Sequence, residues 1–421
     1  MNLLKVDTLD QVKEKLHPYF SGMSRTTEEV PLFEAVGRYL AEDLPAPSDI
    51  PETDRSVVDG YALKASETFG VSESSPALLE LIGEVEMGKG ATHLVEPGKA
   101  VYVPTGGMVP TGADSVVMIE YVEKMDERNL AVYGSVAPGA GIMRKGDDFR
   151  KDQILYQKGH RISNRDIGLL AAMGYAFVTV FSRPVVAIIS TGDEVVSIME
   201  EPGPGQVRDI NSYSLAALVT SLGGKVGTVA LIRDSREDLR KMVREALMRN
   251  HIVLISGGSS AGFKDYTAAV INEMGSPGVL THGIAMKPGK PTIVGVIKDE
   301  HCCCHERASL VVGLPGHPMA AVISFRAVVE NFIRKYYFCN EEEPMTIPAR
   351  MTENIHGGEG RETFTMVRLR KTEAGWEAEP IHAKSGSISQ LRYGDGFLRM
   401  PALSEGVSKG QLVEIRPWNE V

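Results

Sequence analysis

The sequence predicts an α/β plus β protein of several domains. Three observations carry this. The chain has 421 residues, too many for one ordinary core and enough for two to four domains. From about 183 to 337, short apolar runs alternate with segments of helical periodicity. On either side, from about 30 to 180 and from about 344 to 421, the chain reads as short strands broken by glycine and proline.

The elements follow in order. Leu3, Val6, Leu9, Val12 and Leu16 recur at helical spacing, which predicts an amphipathic helix packed on the protein. After it come AVGRYLAED and VYVPTGGMVPTGADSVVMIEYVE, with many turn residues between. VVAIIS (185–190) is a buried strand leading into TGDE. PGPG at 202–205 is a loop. NSYSLAALVTSLGG (211–224) is a helix stopped by glycine. KVGTVALI (225–232) is a second strand, and Ser235 caps a helix that runs to about Arg249. HIVLIS (251–256) is a third strand, leading into GGSSAG and a helix from about Tyr266 to Met274. LTHGIA (280–285) precedes KPGKP. TIVGVI and SLVVGL follow as strands, and the second leads into PGHP and a helix of about twenty residues. NEEEP at 340–344 reads as a linker. The short strands beyond it have the size of a small β-barrel or sandwich.

Composition excludes several classes. With 43% hydrophobic and 24% charged residues, the chain reads as soluble and globular. The net charge is −10, with no basic block and no aromatic-basic stripe, which argues against nucleic acid as a partner. No apolar run approaches membrane-span length, and the N-terminus lacks a signal-peptide layout, so the expectation is a cytoplasmic protein with no membrane contact. The four cysteines, three of them adjacent, make no disulfide framework.

Strands alternating with helices imply parallel pairing and right-handed crossovers. TGDE, the Arg233-Asp234-Ser235 turn, GGSSAG and PGHP should then gather at the carboxyl edge of one sheet, with KPGKP beside them, where open α/β sheets bind ligands. Glycine-rich loops before helices offer free N–H groups to oxyanions. Ser256, Ser259 and Ser260 add hydroxyls, and Lys287 and Lys290 can neutralise an anion. Asp193, Glu194, Asp234 and Asp265 are oxygen donors suited to Mg²⁺. Together these predict a phosphorylated substrate with a metal ion. Neither a P-loop nor a dinucleotide-binding fingerprint is present. His301-Cys-Cys-Cys-His305 lacks the spaced pairs of a structural zinc site, and a hairpin loop is the simpler account.

At this point the sequence resembles the molybdopterin molybdenumtransferase family, which includes the E domain of gephyrin. The stretches that carry the resemblance are DRSVVDGYAL (54–63), PTGGMVPTGADSVVMIE (104–120), RKGDD (144–148), STGDE (190–194), INSYSLAALV (210–219), IRDSRE (232–237), SGGSSAGFKDYT (256–267), KPGKP (287–291) and GLPGHP (313–318). The resemblance implies a central three-layer α/β domain with a mostly parallel sheet (1–21 and 181–338). It also implies an extended linking domain (22–50 and 141–180), a β-rich second domain (51–140) and a C-terminal small β-barrel (339–421). The implied reaction inserts molybdate into adenylylated molybdopterin and releases AMP, with Mg²⁺ assisting, in an elongated cytoplasmic homodimer working among other molybdenum-cofactor biosynthesis proteins. In such a dimer the site lies between the α/β domain of one subunit and the second domain of the other.

The resemblance also implies roles. Gly257, Gly258, Ser260 and Gly262 cradle the pterin phosphate, Ser256 belongs to the wider substrate-binding set, and Asp265 contacts the substrate. Lys287 and Lys290 hold molybdate, with Pro315, Gly316 and Pro318 beside them and Arg361 and Ser385 supplied by the C-terminal domain. Asp59, Asp148, Glu194 and Asp234, with Asp265, form an acidic set that acts on metal and on phosphoanhydride cleavage, and Thr105 lies towards the glycine-rich loop. Glu194 and Asp234 are the expected Mg²⁺ contacts. The chain departs from the family pattern at Ala320, where a serine hydroxyl is common, and in the loop from His301 to His305. A tungstate-specific relative or a non-catalytic pterin-binding scaffold is the alternative. Competence-damage-type proteins share the α/β domain but lack the DRSVVDGYAL and RKGDD stretches.

Overall fold

The computed structural model describes residues 6–257, 261–299, 307–358, 360–384 and 386–418, with 261–265, 299 and 307 described by backbone alone. The chain divides into two compact units. One comprises Met1–Glu42, Lys158–Ile167 and Ala176–Val421, the other Asp43–Gln157 and Gly168–Tyr175.

In the larger unit, a six-stranded sheet runs in the order Lys225–Ile232, Val185–Thr191, Ile252–Gly257, Arg307–Leu314, Ile293–Asp299, Pro277–His282. The first four strands are mutually parallel, and the last two join antiparallel. Period-two alternation divides the apolar side chains between the two faces. Val186, Ile188, Ile252, Leu254, Leu310 and Val312 pack on one side with Leu215 and Val219 of the helix Asn211–Ser221. Ala187, Ile189, Val253, Ile255 and Val311 pack on the other with Leu239, Val243 and Ala246 of the helix Arg236–Arg249. The result is the expected three-layer α/β domain. Each of the valines, leucines and isoleucines among them contributes about 1.5–3 kcal/mol by leaving water.

Four sequence expectations are corrected in detail. The N-terminal helix is Leu9–Phe20, because Thr8 and Gln11 form a capping box that starts it there, and it buries Leu9, Val12, Leu16 and Phe20. The third sheet helix begins at Ala261 rather than near Tyr266 and runs to Met274, so part of the glycine-serine stretch is helical. The strand expected over 280–285 spans Pro277–His282, and with Ile293–Asp299 running opposite to its neighbours the alternation rule fails at that sheet edge. The helix after PGHP is interrupted: Pro318–Ser324 passes through a π-helical turn, Phe325–Glu330, into Asn331–Phe338.

The C-terminal strands close into a five-stranded barrel. Glu362–Thr372 pairs with Gly375–Pro380 and with Gly396–Met400. Ile347–Met351 and Leu412–Pro417 complete the ring, which encloses Ala349, Val367, Ala378, Leu398 and Ile415. One further pairing was not foreseen. Met286–Lys287, from the α/β region, adds as a short parallel strand to Glu362–Thr363 of the barrel.

The smaller unit is built on a second six-stranded sheet, in the order Ser115–Met118, Gly60–Leu63, Lys99–Val103, Ala77–Glu84, Asn129–Val132, Val122–Lys124. Only the pair Ala77–Glu84 and Lys99–Val103 is parallel. This is the expected β-rich region.

Candidate functional site

The order of the α/β sheet reverses about Val185–Thr191. From it the chain leaves to one side for Lys225–Ile232 and then returns to the other side for Ile252–Gly257. A crevice opens at such a switch point, outside the carboxyl ends of the strands. Thr191 and Gly257 lie opposite each other there. The close approach requires glycine: a Cβ at Gly257 would lie far inside contact distance of the Thr191 carbonyl and 2.6 Å from its Oγ1. Ser256 is fully buried and accepts from Asn211 Nδ2 at 2.7 Å. Gly262 lies in the helix Ala261–Met274, as does the backbone of Asp265. Gly258, Ser260 and the side chain of Asp265 lie outside the described residues.

Asp193, Glu194 and Asp234 form an exposed acidic rim on the same edge. The Asp234 backbone N–H donates to Asp193 Oδ1 at 3.2 Å, which holds the two turns together. Partial desolvation, then the charges of Asp193 and Glu194, hold the Asp234 carboxyl above its ordinary range. Among the described residues no group of three or more His, Cys, Asp or Glu side chains is arranged to hold a metal ion.

Behind the rim lies a buried polar layer that the sequence did not single out. Asp209 accepts from Ser190 Oγ at 3.2 Å and from the Ser212 N–H at 3.0 Å. Asn211 donates to Ser256 Oγ and to the Gly316 carbonyl, the latter at 2.8 Å. The signal was present in INSYSLAALV, but buried polar residues at a helix start read as ordinary capping.

KPGKP is at the same edge because Pro277–His282 is parallel to the central strands and ends there, while Ile293–Asp299 starts there and runs back. Thr292 Oγ1 holds the loop, donating to the Gly289 carbonyl at 2.7 Å, with Ser324 Oγ 2.9 Å away. Gly289 has φ +114°, and a Cβ there would lie 2.7 Å from Ser324 Oγ.

A pocket of about 620 Å³ opens between this loop, the PGHP turn and the barrel. Lys287, Lys290, Pro315, His317, Ala320 and Arg361 all line it. Residues distant in sequence thus line one pocket. Gly316 contributes its carbonyl to Asn211, and Pro318 starts the following helix. His356, His382 and Lys384 were not foreseen and add to the basic lining. His382 is itself paired with Glu353, at 2.8 Å. Ala320 is buried at the wall, so the site offers no hydroxyl from that position. Ser385 and the segment from His301 to His305 lie outside the described residues.

Asp59, Thr105 and Asp148 belong to the smaller unit. Asp59 and Thr105 meet there: the Thr105 N–H donates to Asp59 Oδ1 at 2.8 Å. Asp148 is exposed, its N–H donating to the Ile50 carbonyl. No helix of the described residues is long and apolar enough to cross a membrane.

The chain matches three sequence profiles in succession. They are the MoeA N-terminal region (domain I and II) over residues 6–174, the "probable molybdopterin binding domain" over 187–335, and the MoeA C-terminal region (domain IV) over 348–418. A molybdopterin molybdenumtransferase of Nostoc sp. is 31% identical over 389 residues, covering 91% of this chain and 87% of that protein. The molybdopterin molybdenumtransferase of Bacillus subtilis is 29% identical over 393 residues, covering 92% and 89%. The crystal structure of the molybdopterin biosynthesis MoeA protein of Pyrococcus horikoshii OT3 superposes with a TM-score of 0.83 at 31% identity, covering 98% of this chain and 100% of that one. Profile order, identity across nearly the whole length and shared architecture agree: this chain belongs to the MoeA-type molybdopterin molybdenumtransferase family.

Proposed function

We propose that the protein inserts molybdate into adenylylated molybdopterin and releases AMP. The observation that carries this is the convergence of Lys287, Lys290 and Arg361 on one pocket beside the switch-point crevice. The family supplies the pterin substrate class, and the pocket supplies cations for a dianion. The bare backbone at Gly257 and the start of the following helix suit the pterin phosphate. The lysines and Arg361 concentrate an oxyanion on a protein whose net charge of −10 repels one.

Glu194 and Asp234 are the proposed Mg²⁺ contacts. Bound there, the ion would neutralise charge developing on the phosphoanhydride. The rim's own contribution is to hold carboxylates close enough to repel one another, which favours cation capture. Asp265, Ser260 and Ser385 keep the roles the family implies. The homodimer, the acidic roles of Asp59 and Asp148, the placement of Thr105, the fourfold domain division and a cytoplasmic location belong to the same proposal and rest on family membership.

The test is AMP release from adenylylated molybdopterin with Mg²⁺, with and without molybdate. Molybdate-dependent release supports the transferase, and tungstate in the same assay compares the two oxyanions. Pterin binding without AMP release would overturn the proposed activity and favour a scaffold.

A further inference from the structure

The PGHP turn presents His317 to the cationic pocket from a rigid base. Pro315 is buried, and the Gly316 carbonyl accepts from Asn211 at 2.8 Å. Pro318 has its φ fixed by its own ring. The His317 carbonyl accepts from the Ala321 N–H at 2.9 Å, but its imidazole makes no capping hydrogen bond to the helix that follows. The imidazole reaches the barrel instead. A Cβ built on Gly386 would lie 3.9 Å from His317 Cδ2 and 4.0 Å from its Nε2. Gly386 belongs to the barrel loop that carries Lys384 into the pocket wall.

The ionisable groups around this space share one sign. KPGKP contributes Lys287 and Lys290, and the barrel contributes Arg361, His356, His382 and Lys384. No carboxylate lines the pocket among the described residues. Glu353 stands outside the lining, paired with His382 at 2.8 Å. Lysine and arginine keep their charge at neutral pH, whereas an imidazole ordinarily titrates near about pH 6.5. Part of the pocket's charge is therefore permanent, and the part held by His317 and His356 follows pH. A dianion at short range favours imidazolium over imidazole. No carboxylate of the lining competes with the ligand for that role. Binding then draws protons onto the imidazoles, and by linkage a lower pH tightens binding.

We propose that His317 is a further oxyanion-binding residue, and that with His356 it makes oxyanion capture proton-linked. The pocket then takes up protons as it takes up a tetrahedral dianion. This rests on the function proposed above.

The experiment is titration calorimetry on the full chain with molybdate and with tungstate, in pairs of buffers of different ionisation enthalpy. The difference between paired buffers counts the protons taken up, over a range where the oxyanion itself stays doubly charged. The wild type is expected to bind about 5-fold or more tightly at about pH 6 than at about pH 8, with net proton uptake near pH 7. His317→Gln should lower both the pH dependence and the proton count, and His317→Gln with His356→Gln should bring the two affinities within about 2-fold. His317→Lys carries a fixed charge, so it should bind more tightly than the wild type at the higher pH and take up fewer protons. A merely structural role would weaken binding equally at both pH values and leave the proton count intact, which overturns the inference. So does a wild type whose affinity is independent of pH, or a proton count unchanged in both His317 variants. A wild type that binds neither oxyanion, with or without molybdopterin, overturns the proposed function itself.

Discussion

The acidic rim and the cationic pocket lie on one sheet edge and are built in opposite ways. Asp193, Glu194 and Asp234 come from the ends of two neighbouring strands and stay exposed, and partial desolvation, then the charges of the other two, raise the Asp234 carboxyl. Lys287, Lys290 and Arg361 come from segments about seventy positions apart, brought together by a strand pairing and walled by Ala320 and Phe364. The rim has local electrostatic tension that a bound cation would relieve. The pocket is a long-range construction whose charges face a common space. Each is therefore vulnerable to a different kind of change.

The largest expected effect is on the pocket. Replacing Lys287 and Lys290 together by alanine, or Arg361 by alanine, should lower molybdate-dependent AMP release about 10²–10³-fold, as removal of a preorganised charged donor does. The loss should fall on the molybdate KM, and molybdopterin affinity should stay within about 2-fold. Equal loss of both would erase the distinction between the two regions.

The rim comes next. Asp234→Asn should weaken Mg²⁺ binding about 10–100-fold without changing molybdate binding. Protonation competes with the cation, and the Asp234 carboxyl is raised, so in the wild type Mg²⁺ affinity should begin to fall at a higher pH than for an ordinary aspartate. That raised onset should disappear in the variant, leaving only the proton competition at Glu194. The sign for stability is the reverse. A raised folded-state pKa means the charged form is disfavoured by folding, so Asp234→Asn should raise the melting temperature at neutral pH. The gain should vanish below about pH 4, where the carboxyl is protonated in both states. A variant that is weaker in Mg²⁺ binding and also less stable at pH 7 would sink this account of the rim.

Two smaller effects probe the scaffolding beneath each region. Gly257→Ala forces a methyl against the Thr191 carbonyl and should cost about 3 kcal/mol in denaturant unfolding. Thr292→Val removes the hydroxyl between Gly289 and Ser324 and should cost about 1–2 kcal/mol, with a modest rise in molybdate KM.

Much of this was legible in the sequence for a physical reason. The strands read at 185–190, 251–256 and 309–314 are nearly continuous apolar runs that lead into glycine-bearing turns, and KVGTVALI (225–232) follows a glycine stop, so all four could be read to within two residues of their observed bounds, and with them the loops at their carboxyl ends. Ser235 acts as the cap its type predicts, accepting from the Asp238 N–H. The antiparallel pair at the far edge was not legible, because a strand's direction is set by partners and not by its own residues. The pairing of Met286–Lys287 with Glu362–Thr363 was hidden for the same reason, and so was the reason Arg361 reaches the lysines: only the family resemblance pointed to it. The T-x-x-Q signature at Thr8 was present and would have placed the first helix correctly. Asn211 was hidden because its partners, Ser256 and Gly316, are distant along the chain.

The Met286–Lys287 pairing also governs what happens when the molecule is cut. A fragment ending near Phe338 would keep the sheet and the glycine-rich loop, but the backbone of Met286–Lys287 would lose its partner strand. Met286 is fully buried in the intact chain and would be uncovered beside that open edge. An unpaired edge next to newly exposed apolar surface recruits other chains, so such a fragment should self-associate. Expression of the α/β segment alone should therefore give more self-association than expression of the full-length chain.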